Sequence, residues 1–149
     1  MPPIREPRLY YPRQATIYPW LWKVLVGGDI AISVSVGNIL NMIAYQPLGI
    51  NGNSLEMYTF LAAGTYTLGV FGSVGTNKGK LDWYMDDVKV VTGQDWYHAT
   101  NIPNTLKTTS IPVIGNGHHK LKYVVNGKHA GSSDYCISMI LIYLKRSDL

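Results

Sequence analysis

The sequence predicts an all-β protein folded as a jelly-roll β-sandwich. Apolar and polar residues alternate with a period of two through most of the chain, which places successive side chains on opposite faces of strands. Turn residues such as Gly, Asn and Asp interrupt this alternation at intervals of roughly 8 to 12 residues, as in sandwiches of short strands. The 149 residues are enough for one hydrophobic core. We therefore expect one domain of about eight to ten strands.

The first 23 residues depart from this pattern, because five of the eight prolines of the chain lie among residues 1–22. Proline fixes φ and lacks a backbone donor, so the segment favours extended conformations and cannot form a helix. We expect an extended arm at residues 1–23 and a jelly-roll domain at residues 24–149.

Basic and aromatic side chains fill this arm, and these residue types dominate the energetics of protein interfaces. We expect the arm to lie on another protein, although a segment that folds back over its own sandwich is the open alternative. The candidate partner-binding residues are Arg5, Arg8, Tyr10, Tyr11, Arg13, Tyr18, Trp20 and Trp22.

The domain is expected to begin with alternating strands at residues 30–36 and 55–61. Between them lie an apolar run at 39–45, for which spacing does not separate a strand from a short buried segment, and a loop at 46–54. The strand at 55–61 carries Leu55, Met57 and Thr59 on one face and Glu56, Tyr58 and Phe60 on the other.

The most regular part of the sequence is residues 64–97, which predict three strands. A Gly-rich loop at 72–80 joins the first two, since its glycines allow backbone conformations that β-branched residues avoid. Asp86 and Asp87 form the hairpin turn into the third strand, because Asp favours turns through its side-chain hydrogen bonds.

A polar connection at 98–110 is expected to follow, then a short strand at 111–114 and a longer one at 118–125. The Asn126–Gly127 pair is the strongest hairpin signal of the chain. The closing strand at 133–144 is apolar on both faces in its second half, which predicts a central strand that is covered on each side.

The sequence carries no pattern typical of catalysis or of metal binding. His118 and His119 are adjacent in an expected strand and would point to opposite faces, so they cannot chelate one ion together. We expect a protein that is not an enzyme, with no cofactor and no metal site.

Charge and hydropathy bear on the partners. The formal charge of +4 comes mostly from the first segment and forms no basic patch on an expected strand, so we expect no nucleic-acid partner. No run reaches 18 apolar residues, so we expect no membrane partner either.

Tyr84, Trp96 and Tyr97 could form a platform for sugar rings, or they could pack in a subunit interface.

Residues 64–146 resemble the compact jelly-roll heads of the C1q and tumour-necrosis-factor type, as used in bacteriophage structural proteins. The matching segments are GTYTLGV, GKLDWYMDDVKV, the DWY at Asp95, GHHKLKYVVNGKH and SSDYCISMILIYLKR. The resemblance implies a homotrimer that associates through apolar residues of the closing strand. The candidate trimer-interface residues are Ile140, Ile142 and Leu144.

Within that family, the short chain and its arm favour a virion structural protein of the capsid decoration, or cement, type. Such a protein is made in the host cytoplasm and binds the major capsid protein on the outer capsid surface. The alternative is a glycan- or receptor-binding head of a tail fibre or adhesin, with Tyr84, Trp96 and Tyr97 as the platform.

Overall fold

The structure, a computed structural model, describes residues 11–18, 22–26, 31–34, 42–45 and 50–148. Within these ranges the regular elements are β-strands. They are β1 (Gln14–Ile17), β2 (Lys23–Val26), β3 (Ala31–Val34), β4 (Met42–Tyr45), β5 (Ser54–Leu61), β6 (Gly64–Val74), β7 (Gly79–Met85), β8 (Val88–Asp95), β9 (Ile102–Val113), β10 (Gly117–Lys128) and β11 (Ser138–Arg146).

The strands form two antiparallel sheets that pack as a sandwich, which confirms the predicted all-β class. Sheet A has the order β3-β4-β11-β6-β9, and β1 also pairs with β11. Sheet B has the order β2-β5-β10-β7-β8. Strands that are neighbours in a sheet are often distant in sequence. The buried residues of both sheets form one hydrophobic core between them.

The core lies between the sheets and follows the alternation of the sequence. Leu68 and Val70 of β6 and Leu81 and Trp83 of β7 are fully buried, as the period-two pattern predicts. Burial of each such side chain contributes about 1.5 to 3 kcal/mol to folding. The packed core therefore fixes which face of each strand is left for function.

Strand β11 is central in sheet A, as predicted. It pairs with β6 along its length, with β4 at its beginning and with β1 at its end. Ile140, Ile142 and Leu144 are only 1%, 0% and 0% exposed within a single chain. They are interior residues, so they do not provide the free apolar face that the trimer prediction assigned to them. The trimer itself stays a prediction.

Part of the expected arm is a strand of the sandwich. Residues Gln14–Ile17 pair with β11, and Ile17 is 2% exposed in the core. Strand β2 already begins at Lys23 and pairs with β5. The expected boundary at residue 23 therefore does not coincide with the start of the sandwich, because the apolar contacts of Ile17 hold this extended segment against the core.

The other arm residues have different positions. Tyr11 contacts the face of sheet B, Trp22 packs against the core, and Arg13 is exposed. Tyr18 is half-buried. Arg5, Arg8, Tyr10 and Trp20 lie outside the described residues.

Two connections differ from their predictions, and one turn is confirmed. Asp86 and Asp87 have φ of 49° and 66° and form the predicted hairpin turn between β7 and β8. The expected polar connection at 98–110 is largely the edge strand β9. Asn126–Gly127 lies within β10, at an irregularity of its pairing with β7, and not at a hairpin turn.

Candidate functional site

An exposed aromatic cluster lies on the outer face of sheet B. Tyr58 and Phe60 of β5 are 59% and 39% exposed. The ring of Tyr11 stacks on Phe60 with centroids 5.2 Å apart, and the His118 ring meets Phe60 edge-on at 4.9 Å. Grouped aromatic surface of this kind is typical of binding sites, because isolated exposed apolar residues do not form a continuous contact area. We call these four residues the aromatic cluster.

The local sequence explains how the cluster forms. Tyr58 and Phe60 alternate with Met57 and Leu61, which are fully buried, so the aromatic side chains must point outward. Phe60 is directly opposite His118 in the register of β5 and β10, which brings the two rings into contact.

Tyr11 reaches the cluster because its neighbour Pro12 is fixed to the end of β5. The Pro12 carbonyl accepts a hydrogen bond of 2.8 Å from the backbone N–H of Ala62. A wide cavity of about 300 Å³ lies beside these rings and is lined by Tyr58, Thr59, Phe60 and His118.

A buried carboxylate orients the Tyr58 hydroxyl. Tyr58 Oη donates a hydrogen bond of 2.8 Å to Glu56 Oε1, and Lys23 Nζ lies 3.6 Å from the same oxygen. The Glu56 hydrogen bond, aided by burial and by the charge of Glu56, raises the pKa of Tyr58. The tyrosine therefore stays neutral at physiological pH, and the edge of its ring is held in one orientation.

Cationic side chains extend the site across the sheet. Lys120 Nζ lies 2.8 Å and Lys122 Nζ 3.7 Å from Asp87 Oδ1, so one exposed carboxylate is shared by two ammonium groups. The hydrogen bond to Asp87 raises the pKa of Lys120. Lys122 Nζ also lies 4.8 Å from the centroid of the Tyr84 ring, and Lys89 Nζ lies 5.6 Å from it. The face beside the aromatic cluster therefore offers hydrogen-bond donors at fixed positions.

The three residues predicted as a sugar platform do not form one surface. Tyr84 lies on the outer face of sheet B, but two ammonium groups lie over its ring. Tyr97 is half-buried at the loops, where its ring stacks on His129 at 4.2 Å with an angle of 5°. Only Tyr84 shares a face with the aromatic cluster.

The prediction that Trp96 is an exposed platform residue is wrong. Trp96 is 1% exposed, and its Nε1 donates to Gln94 Oε1 at 3.0 Å. The same oxygen accepts a hydrogen bond of 2.9 Å from Trp83 Nε1. Gly72 makes room for the indole, since a Cβ there would lie 2.9 Å from Trp96 Cζ3. Trp96 is therefore a core residue that contacts sheet A.

Sequence reasoning did not select Tyr58, Phe60 or His118 as site residues. A signal was present, because the alternation places both aromatic residues on the same face as Glu56. A charged residue in that series predicts the outer face of the sheet, although Glu56 itself is only 5% exposed, and aromatic residues that share that face are candidates for a surface site.

Metal-ligating side chains do not gather in groups of three or more within the part of the chain that the structure describes. In the same part, no helix is long and apolar enough to cross a membrane.

Comparison with solved structures identifies proteins of the same fold. A family 35 carbohydrate-binding module from an environmental isolate aligns with a TM-score of 0.67 and 15% identity over 88% of this chain and 92% of the module. The CBM36-1 domain of a multidomain xylanase from the hindgut metagenome of Trinervitermes trinervoides aligns with a TM-score of 0.60 and 15% identity, covering 91% and 99%. No protein-family model and no curated protein sequence matches the chain.

A larger enzyme contains the same fold. Paenibacillus xanthan lyase aligns with a TM-score of 0.76 and 15% identity over 89% of this chain. The chain spans 13% of the length of that lyase. These likenesses confirm the jelly-roll β-sandwich. They support the resemblance to C1q- and TNF-type heads only at the level of that fold, because the two compact matches are carbohydrate-binding modules.

Proposed function

We propose that this chain is a carbohydrate-binding domain whose ligand lies on the outer face of sheet B. The observation that carries the proposal is the exposure of Tyr58 and Phe60 side by side on one face of strand β5. The likeness to two carbohydrate-binding modules over nearly their whole length supports it. This function agrees with the adhesin-type alternative from the sequence but uses different residues.

The geometry suits a polysaccharide for two reasons. Aromatic rings provide flat apolar area with few torsions to freeze, so stacking against the apolar face of a sugar loses little conformational entropy. Next to the rings, Lys120 and His118 lie opposite Tyr58 and Phe60 in the register of the sheet. Their polar groups can bond to sugar hydroxyls, which gives the site orientation and specificity.

Affinity electrophoresis tests this proposal. We expect native gels that contain xanthan, xylan or β-1,3-galactan to retard the wild-type chain for at least one polysaccharide. The double variant Tyr58→Ala/Phe60→Ala should bind that polysaccharide at least about tenfold more weakly, since a tenfold loss corresponds to about 1.4 kcal/mol of contact energy.

Two matched variants make the test specific. Ile114→Ala removes an apolar side chain that is 82% exposed and lines a cavity with Met85 and Val88, not the cavity beside the aromatic rings, and it should not change retardation. Tyr97→Ala removes an aromatic ring at the loops. If Tyr97→Ala abolishes binding while Tyr58→Ala/Phe60→Ala does not, the site lies at the loops and our placement of it is wrong.

Capsid decoration remains a separate prediction from the sequence. It requires a trimer, arms that bind the major capsid protein, and a place on the outer virion surface, and co-sedimentation of the chain with virions would test it. None of the three structures named above is a virion protein, so we favour carbohydrate binding.

A further inference from the structure

We propose that the outer face of sheet A is a second polysaccharide-binding face, centred on Tyr143. The Tyr143 ring lies over Gly69: a Cβ at Gly69 would overlap ring atoms Cε1 and Cζ and lie 2.7 Å from Cε2. Because several ring atoms surround one point above the glycine, the ring lies across the sheet and does not stand out from it. The half-buried ring therefore rests with one face on the strand and presents the other outward.

Polar side chains lie on both sides of this ring. The register pairs Tyr143 with Thr16 of β1, and it pairs Gly69 with Thr108 of β9. Thr16 and Thr108 are both exposed. A flat apolar surface between two hydroxyl groups matches the chemistry of a sugar ring, which has an apolar C–H face and a rim of hydroxyls.

The next row of the sheet adds further hydrogen-bonding groups. Gln14, Lys145, Thr67 and Ser110 follow one another across β1, β11, β6 and β9. A cavity of about 330 Å³ along β1 and β11 is lined by Gln14, Ala15, Thr16, Tyr143, Leu144 and Lys145. Amide, hydroxyl and ammonium groups in this cavity favour a polar chain with many hydroxyls over an apolar ligand.

The two faces point in opposite directions, because each is the outer surface of its own sheet in the sandwich. Sheets in a sandwich are roughly 10 Å apart, so one polysaccharide chain cannot lie flat on both faces of the same molecule. One protein molecule can instead hold two chains at once. The inference rests on the proposed function for the first face only and adds cross-linking of polysaccharide to it.

The experiment measures cross-linking and binding separately. The polysaccharide from the panel that retards the wild-type chain is mixed with the protein, and turbidity is recorded across a range of protein-to-polysaccharide ratios. We expect turbidity with the wild type. Tyr143→Ala should reduce turbidity to the level without protein while affinity electrophoresis still shows retardation by the face at Tyr58. The Tyr58→Ala/Phe60→Ala variant should likewise bind without producing turbidity.

A second variant preserves the tyrosine. Gly69→Ala adds the Cβ that overlaps the ring and must displace it, so this variant should also lose turbidity and keep retardation. Ile114→Ala is the control and should behave like the wild type, and circular dichroism confirms that each variant is folded.

The outcomes separate the two proposals. Turbidity that persists in Tyr143→Ala and Gly69→Ala, or retardation that disappears completely in Tyr58→Ala/Phe60→Ala, overturns the second face and leaves the first intact. If no polysaccharide retards the wild type, the proposed function fails, and the second face fails with it.

Discussion

Asp82 is a carboxylate that is only 2% exposed, and three donors compensate for its burial. Lys89 Nζ, Asn126 Nδ2 and the backbone N–H of Gly93 each lie 2.8 Å from one of its oxygens. Burial by itself would raise the pKa of Asp82, but these hydrogen bonds outweigh it and lower the pKa below its usual value. The carboxylate thus connects β7, β8 and β10 on the same face of sheet B that carries Tyr84 and the lysines.

We expect Asp82 to make the free energy of unfolding depend on pH in the acid range. A carboxyl group whose pKa is lower in the folded state contributes stability above its unfolded pKa of about 4, and this contribution is lost as pH falls through the folded pKa. We expect Asp82→Asn to lower the free energy of unfolding near pH 7 by about 2 kcal/mol, because hydrogen bonds to a charged group are lost. Urea unfolding at several pH values between about 7 and 2.5 measures both effects.

Asp87→Asn is the matched comparison, since Asp87 is also paired with lysines but its side chain is 66% exposed. Water screens such a pair, so this variant should lose less stability at neutral pH than Asp82→Asn. Equal losses in the two variants, or an unchanged acid slope in Asp82→Asn, would contradict the role assigned to Asp82.

At the scale of strands, the sequence predicts elements that have at least one apolar face and misses a strand whose two faces are both polar. Strands β5, β6 and β7 carry apolar residues at every second position over most of their length, and the predicted inner faces that contain Leu55, Tyr66 and Leu81 are buried. Strand β9 is an edge strand with polar residues on both faces through residues 104–110, so the alternation carries no signal there.

The aromatic cluster could be predicted from the sequence only in part, because alternation gives the direction of a side chain but not its neighbours in other strands. The outward direction of Tyr58 and Phe60 follows from alternation within one strand. Their contacts with Tyr11 and His118 depend on the pairing of β5 with β10 and on the anchoring of Pro12, which are long-range contacts. No local pattern specifies such contacts, because they arise only when the core selects the strand order.

The first strand shows that tertiary contacts, and not local preference, decide where an extended segment packs. Ile17 is predicted to be an arm residue, yet it is buried between the sheets and pairs with Ile142 of β11. We expect Ile17→Ala to lower the free energy of unfolding by about 2 to 4 kcal/mol, because a buried aliphatic side chain is replaced by a cavity.

Gln14→Ala is the control in the same strand, because Gln14 is exposed and should change stability by less than about 0.5 kcal/mol. Chemical unfolding of both variants gives the comparison. Should Ile17→Ala be as stable as the wild type, residues 14–17 would not be an integral strand, and the arm interpretation would apply to them after all.

At the scale of the whole molecule, the apolar side chains Ile142 and Leu144 of β11 are buried in the core of a single chain. The two outer faces of the sandwich are therefore the surfaces that are left for contacts. Ile142 and Leu144 belong to the same hydrophobic cluster as Leu121 and Tyr123 of sheet B. Any association of subunits would therefore use surfaces other than these side chains, and Tyr58 and Tyr143 lie on the opposite outer faces at which we propose the two ligand sites.

Because Ile142 is buried within one chain, its effect on the free energy of unfolding can be measured separately from any effect on subunit association. We expect Ile142→Val to lower the free energy of unfolding by about 1 kcal/mol, since one buried methyl group is lost from the core. The sedimentation coefficient of the folded variant should equal that of the wild type at every concentration, because the side chain is 0% exposed within one chain and leaves no surface for a second subunit to contact. Ile114→Val, at an exposed position, should change neither quantity. If Ile142→Val instead dissociates an oligomer that the wild type maintains at the same concentration, β11 contributes to a subunit interface. The assembled protein would then not be the single sandwich in which Ile142 is buried.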